Sequence, residues 1–217
     1  MLAKYQSDFI EYALGAGVLS FGEYQLKSGR ISPYFFNAGA FDTGQRLSRV
    51  GYFYAAALID SGLPYEVLFG PAYKGIPLVS ATSVALYDQF GLDVPYAFNR
   101  KELKDHGEGG LIVGADVDGK VVIIDDVITA GTAVRESMNI LSEIGASVSG
   151  ILVGIDRQEK GSGKLSAIQE VQHEFGIDVI SIIQLDTIIE YLEENNLDEN
   201  VLRLISDYRK QYGILVG

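Results

Sequence analysis

The sequence predicts an α/β fold with a mainly parallel central sheet flanked by helices, preceded by a small N-terminal hood of one helix and one β-hairpin. Short apolar runs rich in β-branched residues alternate with longer segments that have helical spacing. The runs are apolar throughout, as in parallel strands covered by helices on both faces. The hairpin is predicted by an alternating aromatic segment that turns at Ser28 and Gly29.

The hood is predicted to span residues 1–40. Apolar residues recur at Tyr5, Phe9 and Tyr12, which is helical spacing, and the pattern breaks at Gly15. The hairpin follows directly, and we expect both elements to lie outside the main sheet.

Residues 41–217 are predicted to form the α/β core. The strands are expected at 66–70, 95–99, 120–125, 148–155 and 178–183. The helices are expected near 44–60, 75–90, 132–144, 164–175, 186–194 and 198–212. One long irregular stretch remains, residues 100–118, and its length and glycine content predict a mobile functional loop.

Composition excludes several classes of function. The chain has 217 residues, 47% of them hydrophobic, which suits one globular unit, and its formal net charge of −12 disfavours nucleic acid and anionic membranes. It has no cysteine and two histidines, so thiolate chemistry is excluded and little material remains for a zinc site. No run approaches the roughly 18 apolar residues of a membrane span, and no signal peptide is evident, so we expect a cytoplasmic protein.

The segment "VVIIDDVITAGTAV", residues 121–134, carries the clearest functional pattern. Two acidic residues, Asp125 and Asp126, end an apolar strand, and a short loop leads into a helix whose first amide groups favour an anion. The loop lacks the lysine of a Walker loop and the glycines of a dinucleotide fingerprint, so one phosphate fits best. The aspartates stand where they can accept hydrogen bonds from a sugar. The alternative is that Asp126 ends a strand and Thr129 or Thr132 caps a helix.

A similar turn, "FGPAYKGIPL", follows another strand. Gly70 and Pro71 force the turn, Lys74 lies at its tip and Gly75 begins a helix. A lysine beside free helix amides makes a second anion site, so the two loops together suggest a diphosphate. A solvated surface lysine is the alternative.

The segment "NRKELKDHGEGG" supplies a local cationic patch in an acidic chain. Its cations are Arg100, Lys101, Lys104 and His106, and three glycines follow. A mobile loop of this kind can close over a phosphorylated substrate and neutralise a departing anion. Interleaved acidic residues leave open a solvated charge run.

Two weaker sequence patterns suggest a binding site for a ligand with a flat anionic ring. "LKSGRISPYFFNAG" places Lys27 and Arg30 near Phe35 and Phe36, although core packing is the commoner role of such aromatics. Arg157 follows another strand end, where it can pair with a carboxylate or remain an ordinary surface arginine.

Together these segments resemble the orotate phosphoribosyltransferases, within the type I phosphoribosyltransferase fold, over nearly the whole chain. The first quoted segment resembles the family's motif for 5-phosphoribosyl 1-pyrophosphate (PRPP). The other three and "DRQE", residues 156–159, resemble the orotate branch.

The resemblance implies transfer of ribosyl 5-phosphate from PRPP to orotate, giving orotidine 5′-monophosphate and diphosphate in pyrimidine synthesis. It implies Mg²⁺ bound to PRPP, with waters near the aspartates and no direct protein ligand. The implied catalytic residues are Lys74, Lys101, Lys104, His106, Asp125 and Asp126. The implied PRPP-binding residues are Lys27, Tyr73, Lys74, Arg100, Lys101, Lys104, His106, Asp125, Asp126, Val127, Ile128, Thr129, Ala130, Gly131, Thr132 and Ala133. The implied orotate-binding residues are Lys27, Phe35, Phe36, Thr129 and Arg157.

The resemblance also implies a homodimer in which loop 100–110 completes the partner's active site. The chemistry agrees with the implied reaction, since cleavage at the anomeric carbon needs electrostatic stabilisation more than a nucleophile. Two alternatives stay open: a phosphoribosyltransferase for another base, and a non-catalytic regulator that senses a nucleotide and binds nucleic acid. The latter would need an added basic module, which the sequence lacks.

Overall fold

The computed structural model describes residues 2–26, 28–104, 110–161, 163–196 and 198–214, with backbone only at residues 103 and 104. The first elements in chain order are α1 (Lys4–Gly15), β1 (Leu19–Gln25), β2 (Ile31–Phe36), α2 (Gly44–Ser61), β3 (Val67–Gly70), α3 (Gly75–Phe90), β4 (Tyr96–Lys104) and β5 (Gly110–Gly114). They are followed by β6 (Lys120–Asp125), α4 (Thr132–Glu143), β7 (Ser147–Asp156), α5 (Ala167–Phe175), β8 (Asp178–Gln184), α6 (Leu185–Glu194) and α7 (Glu199–Tyr212).

The predicted fold class is confirmed. A six-stranded sheet has the order β5-β4-β3-β6-β7-β8, and every neighbouring pair is parallel except β4 and β5. Helices cover both faces. In β6, Val122 and Ile124 face a core shared with α1, α2 and α3, whereas Val121 and Ile123 face a core shared with α4 and α5. The unbroken apolar strand in the sequence therefore reflects burial on both faces.

The N-terminal helix and hairpin form as predicted. β1 and β2 pair antiparallel in a sheet of their own. Phe9 and Ile10 of α1 are fully buried in the core that also holds Phe53 of α2, and the Phe9 and Phe53 rings are 5.1 Å apart. The hood thus packs on the main body through apolar contacts. The division into residues 1–40 and 41–217 stays a prediction.

The prediction of an irregular stretch over 100–118 is wrong for much of its length. β4 continues to Lys104, and β5 returns beside it with Phe98 opposite Val113 and Asn99 opposite Ile112. The short apolar run in "GLIVG" satisfies the edge of β4 through backbone hydrogen bonds, and the glycine- and charge-rich sequence before it concealed this strand. Residues 105–109 lie outside the described part.

The remaining elements match their predicted places closely, although α5 begins at Ala167 rather than near 164. Ser166 caps it, accepting a hydrogen bond from Gln169 N at 3.1 Å. Across the described ranges, no helix is long and apolar enough to cross a membrane.

Candidate active site

The candidate active site lies where the strand order of the parallel sheet reverses. From β3 the chain proceeds to β4 on one side, and from β6 it proceeds to β7 on the other. In open α/β sheets, ligands bind beyond the carboxyl ends of strands at this switch point. The two segments that follow β3 and β6 are those that the sequence singled out, and the structure brings them together.

Asp125 and Asp126 are almost buried, with exposed fractions of 7% and 6%. Asp126 N donates to Asp125 Oδ1 at 2.9 Å, and the buried Tyr54 hydroxyl donates to Asp125 O at 2.8 Å. Gly154 N of β7 donates to Asp126 O at 2.8 Å. The pair is thereby fixed through its backbone, and its side chains lie at the strand end.

Burial and, after it, the neighbouring charge of Asp126 raise the pKa of Asp125 to about 7. Opposing contributions come from the Asp126 backbone amide and from Lys74. Hydroxyl donors or a cation would stabilise the ionised form of a carboxyl group in this environment. A pKa shifted in this way is typical of functional sites.

Lys74 connects the two loops. It lies directly before α3, and its Nζ is 2.5 Å from Asp126 Oδ2. The lysine side chain is 63% exposed, whereas the aspartate side chain is 9% exposed. The ammonium group is therefore accessible to an incoming anion, whereas the buried carboxylate of Asp126 needs a replacement donor or cation if the lysine leaves it.

Asn99, which sequence reasoning missed, positions the loop that carries Lys74. Its Oδ1 accepts a hydrogen bond from Ala72 N at 2.9 Å, and the side chain is 6% exposed. The close approach of the loop to the sheet needs Gly75, because a Cβ there would lie 2.9 Å from Ile124 O. The available sequence signal was a polar residue directly after the apolar residues 96–98, but its hydrogen-bond partner depends on tertiary packing.

The loop after β6 forms the predicted helix N-terminus. Gly131 has φ 71° and directly precedes α4, and Thr129, Ala130, Thr132 and Ala133 are exposed. Val127 and Ile128 are half-buried. Within the described ranges, no side chain caps α4 and its first turn holds no acidic residue. The first amides are thus available to an anion.

The structure describes the side chains of two of the predicted loop cations, Arg100 and Lys101. Lys101 Nζ is 2.9 Å from Glu136 Oε2 of α4, and Arg100 Nη1 donates to Gly110 O at 3.1 Å. Tyr73 is 71% exposed. Lys27 and His106 lie outside the described residues, as does the side chain of Lys104.

The predicted orotate residues lie on β2 and after β7. Phe35 is 39% exposed and stacks on Tyr24 with ring centroids 5.3 Å apart, whereas the ring of Phe36 packs toward Phe9 at 6.3 Å. The Arg157 side chain is 20% exposed and pairs with Glu159, with Nη2 2.6 Å from Oε1. The surface-arginine alternative is therefore wrong, and Glu159 is a partner that sequence reasoning missed.

A separate groove of about 850 Å³ lies between α2 and α3, lined by Arg49, Tyr52, Ala81 and Asp88 among others. Its lining includes none of the predicted site residues. The strand-end site is the better candidate because it holds the perturbed carboxyl group and the free helix amides.

Comparison with known proteins agrees with this geometry. The family model "Phosphoribosyl transferase domain" matches residues 39–183. The orotate phosphoribosyltransferase of Photobacterium profundum is 59% identical over 213 residues, covering 98% of this chain and 100% of that protein. The orotate phosphoribosyltransferase of Vibrio parahaemolyticus is 60% identical over 213 residues, with the same coverage. The crystal structure of the Francisella tularensis orotate phosphoribosyltransferase has a TM-score of 0.87 and 49% identity, covering 95% of this chain and 99% of that one. The chain therefore belongs to the phosphoribosyltransferase family and, within it, to the orotate phosphoribosyltransferases.

Proposed function

We propose that the protein transfers the ribosyl 5-phosphate group of PRPP to orotate, forming orotidine 5′-monophosphate and diphosphate in pyrimidine synthesis. The observation that carries the proposal is the meeting of Lys74 with Asp126 at the switch point of the sheet, next to the uncapped start of α4. One strand end thus holds acceptors for sugar hydroxyls, and both loops hold donors for anions.

Ribose 5-phosphate occupies the loop after β6. The amides of Val127 to Ala133 and the hydroxyls of Thr129 and Thr132 donate to its 5′-phosphate. Asp125 and Asp126 accept hydrogen bonds from the ribose hydroxyls. The exposure of Thr129 and Thr132 and the burial of the aspartates support this arrangement.

The diphosphate leaves toward the cations. Lys74 exchanges its contact with Asp126 for a diphosphate oxygen, which supplies positive charge where negative charge develops. Tyr73, Arg100, Lys101, Lys104 and His106 complete this side. The aspartates stay close to the ribose, where positive charge develops as the anomeric bond breaks.

Mg²⁺ is the proposed cofactor, and the donor set fits a metal held mainly by the substrate. Among the described residues, no group of three or more His, Asp and Glu side chains could hold a metal ion. Mg²⁺ usually keeps several waters and binds substrate phosphates, and Asp125 and Asp126 can accept hydrogen bonds from such waters. When bound, the ion neutralises diphosphate charge.

Orotate lies between the hood and β7. Arg157 pairs with its carboxylate, Lys27 and Thr129 contribute further donors, and Phe35 and Phe36 contribute backbone contacts. The near-burial of Arg157 supports the role, because a guanidinium in such surroundings recognises a planar carboxylate strongly. A base without a carboxylate cannot form this ion pair with the Arg157 guanidinium.

The protein is further proposed to be a cytoplasmic homodimer that binds neither nucleic acid nor membrane. Exposed apolar side chains on α3 support the dimer: Val84 is 59% exposed, and Tyr87, three residues further along the helix, is 62% exposed. Such a patch is typical of an interface. These residues lie on the helix that packs beside β4, the strand whose last residues, 100–104, are the first part of segment 100–110.

An omission assay tests the proposal. Loss of orotate absorbance is followed with protein, orotate, PRPP and Mg²⁺, and then with each component left out or with the metal removed by a chelator. Turnover is expected only in the complete mixture and is restored by added Mg²⁺. Full activity in the presence of excess chelator would contradict the proposed cofactor, and no turnover in the complete mixture would contradict the function.

A further inference from the structure

Arg157 is held by one edge of its guanidinium group. Its Nε donates to Glu159 Oε1 at 2.8 Å, and its Nη2 lies 2.6 Å from the same oxygen. Nη2 also donates to Ser32 Oγ of β2 at 3.2 Å. These contacts hold the guanidinium by its Nε and Nη2 edge, and the Tyr208 hydroxyl of α7 lies near enough to interact with both Arg157 and Glu159.

Glu159 is itself fixed by the hood and by the C-terminal part of the chain. Its side chain is 12% exposed. The Tyr34 hydroxyl donates to Oε1 at 3.2 Å, and Arg30 Nη1 is 3.7 Å from Oε2. The backbone of Glu159 forms an antiparallel bridge with Gly213, just after α7. The carboxylate thus has a fixed position before any ligand arrives.

The Tyr34 ring fixes the guanidinium from a second direction. Arg157 Cζ lies 4.6 Å from the ring centroid, and the tyrosine is fully buried. A ring face below and a carboxylate at one edge restrict both the position and the rotation of the planar group. An arginine ordered in advance loses less conformational entropy when it binds a substrate.

The charges of this cluster suit one anionic group. Arg30 and Arg157 carry two positive charges and Glu159 carries one negative charge, so the three residues have a net charge of one positive unit. A substrate carboxylate balances that charge. Without Glu159, Arg30 would keep its contacts with Lys160 O and the Tyr212 ring, but neither arginine would keep this carboxylate partner.

We infer that Glu159 is a positioning residue, which holds the Nε and Nη2 edge of Arg157 so that the guanidinium meets the carboxylate of the base substrate in a fixed orientation. The inference rests on the proposed function, in which Arg157 pairs with orotate. A merely structural role for Glu159 would change stability without a selective effect on orotate.

The test is steady-state kinetics of Glu159→Gln, which keeps the length of the side chain and removes its charge. The KM for orotate is expected to rise about tenfold or more, because the guanidinium loses a charge-assisted contact. The KM for PRPP should stay within about twofold, because the ribose phosphate loop is untouched. Asp207→Asn is the matched control: it removes an exposed ion pair with Lys210 on α7 and should leave both KM values unchanged.

A double-mutant cycle with Arg157→Lys shows whether Glu159 acts through the arginine. Once Arg157 is a lysine, Glu159→Gln should add no further increase in the KM for orotate. Independent, multiplicative effects would overturn the inference, as would a KM for orotate within twofold of normal in folded Glu159→Gln. If Arg157→Lys itself leaves that KM unchanged, the proposed contact between Arg157 and orotate is wrong, and the inference fails with it.

If Glu159→Gln does not fold, Tyr34→Phe provides the decisive measurement. It removes the hydroxyl that donates to Glu159 but keeps the ring under Arg157 and the contacts between Arg157 and Glu159. A rise of about threefold in the KM for orotate is expected, because the Glu159 carboxylate loses one of the hydrogen bonds that fix its position. An unchanged KM in this variant would overturn the inference.

Discussion

At the scale of one residue, the buried carboxyl group of Asp125 lowers the free energy of unfolding at the pH values where it is ionised. Its surroundings hold the pKa near 7, whereas the ordinary value is 3.8. The folded protein therefore keeps this proton up to about neutral pH, and the unfolded chain releases it near pH 4. Folding is favoured by this group at acid pH, and the benefit is lost as pH rises through the folded pKa.

Asp125→Asn is therefore expected to stabilise the protein at pH 8 by on the order of 2–4 kcal/mol. The difference in the free energy of unfolding between the variant and the unaltered protein should be smaller at pH 5. Activity at pH 8, where the carboxyl group of Asp125 is ionised, should fall at least about 100-fold, because the ribose loses its proposed charged acceptor. Urea unfolding at both pH values, combined with the orotate assay, measures both effects. A variant less stable than the unaltered protein at pH 8 would show that the carboxylate is structural. Asp118→Asn, at an exposed aspartate, serves as the control.

Individual residues also show which parts of the site can be predicted from the sequence and which cannot. Lys74, Asp125, Asp126 and Thr132 could be predicted because each belongs to a local pattern at a strand end or a helix start. Their partners could not: Tyr54, Asn99 and Glu159 act through contacts that depend on tertiary packing. Tyr54 is 71 residues from the carbonyl to which it donates.

At the scale of elements, α2 and α3 pack closely because two small residues meet. A Cβ on Gly51 would overlap the carbonyl group of Ala81 and lie 2.9 Å from the Ala81 Cβ. The contact fixes α3, and α3 in turn places Lys74 at its N-terminus. The pairing of β4 with β5 was missed at the same scale, because glycines and charges hid a short edge strand.

Gly51→Ala is expected to destabilise the protein by about 1–3 kcal/mol, since the cost of overpacking exceeds the higher helix propensity of alanine. Denaturant unfolding measures the change. Gly44→Ala is the matched control, because a Cβ at that position on α2 meets no atom within 4 Å. If Gly51→Ala proves as stable as the control variant, the close helix contact does not limit packing.

At the scale of the whole molecule, loop 100–110 is proposed to complete the partner's site, and complementation can show this. Lys104→Ala is mixed with the double variant Asp125→Asn, Asp126→Asn under conditions of subunit exchange. In a mixed dimer, one site collects both defects and the other has an intact loop and intact aspartates. Activity should therefore reappear above the sum of the parents. If labelled subunits exchange and activity does not rise, each loop serves its own chain.

Competition among bases tests whether this site selects orotate, because the proposed contacts of the whole site act together in one measurement. The protein is incubated with PRPP, Mg²⁺ and equal concentrations of orotate, uracil, adenine and hypoxanthine, and the nucleotide products are separated and quantified. Orotidine 5′-monophosphate is the expected dominant product, since of the four bases only orotate carries a carboxylate, the group that Arg157 is proposed to bind. Formation of another nucleotide at a comparable rate, with orotate left unconsumed, would contradict it.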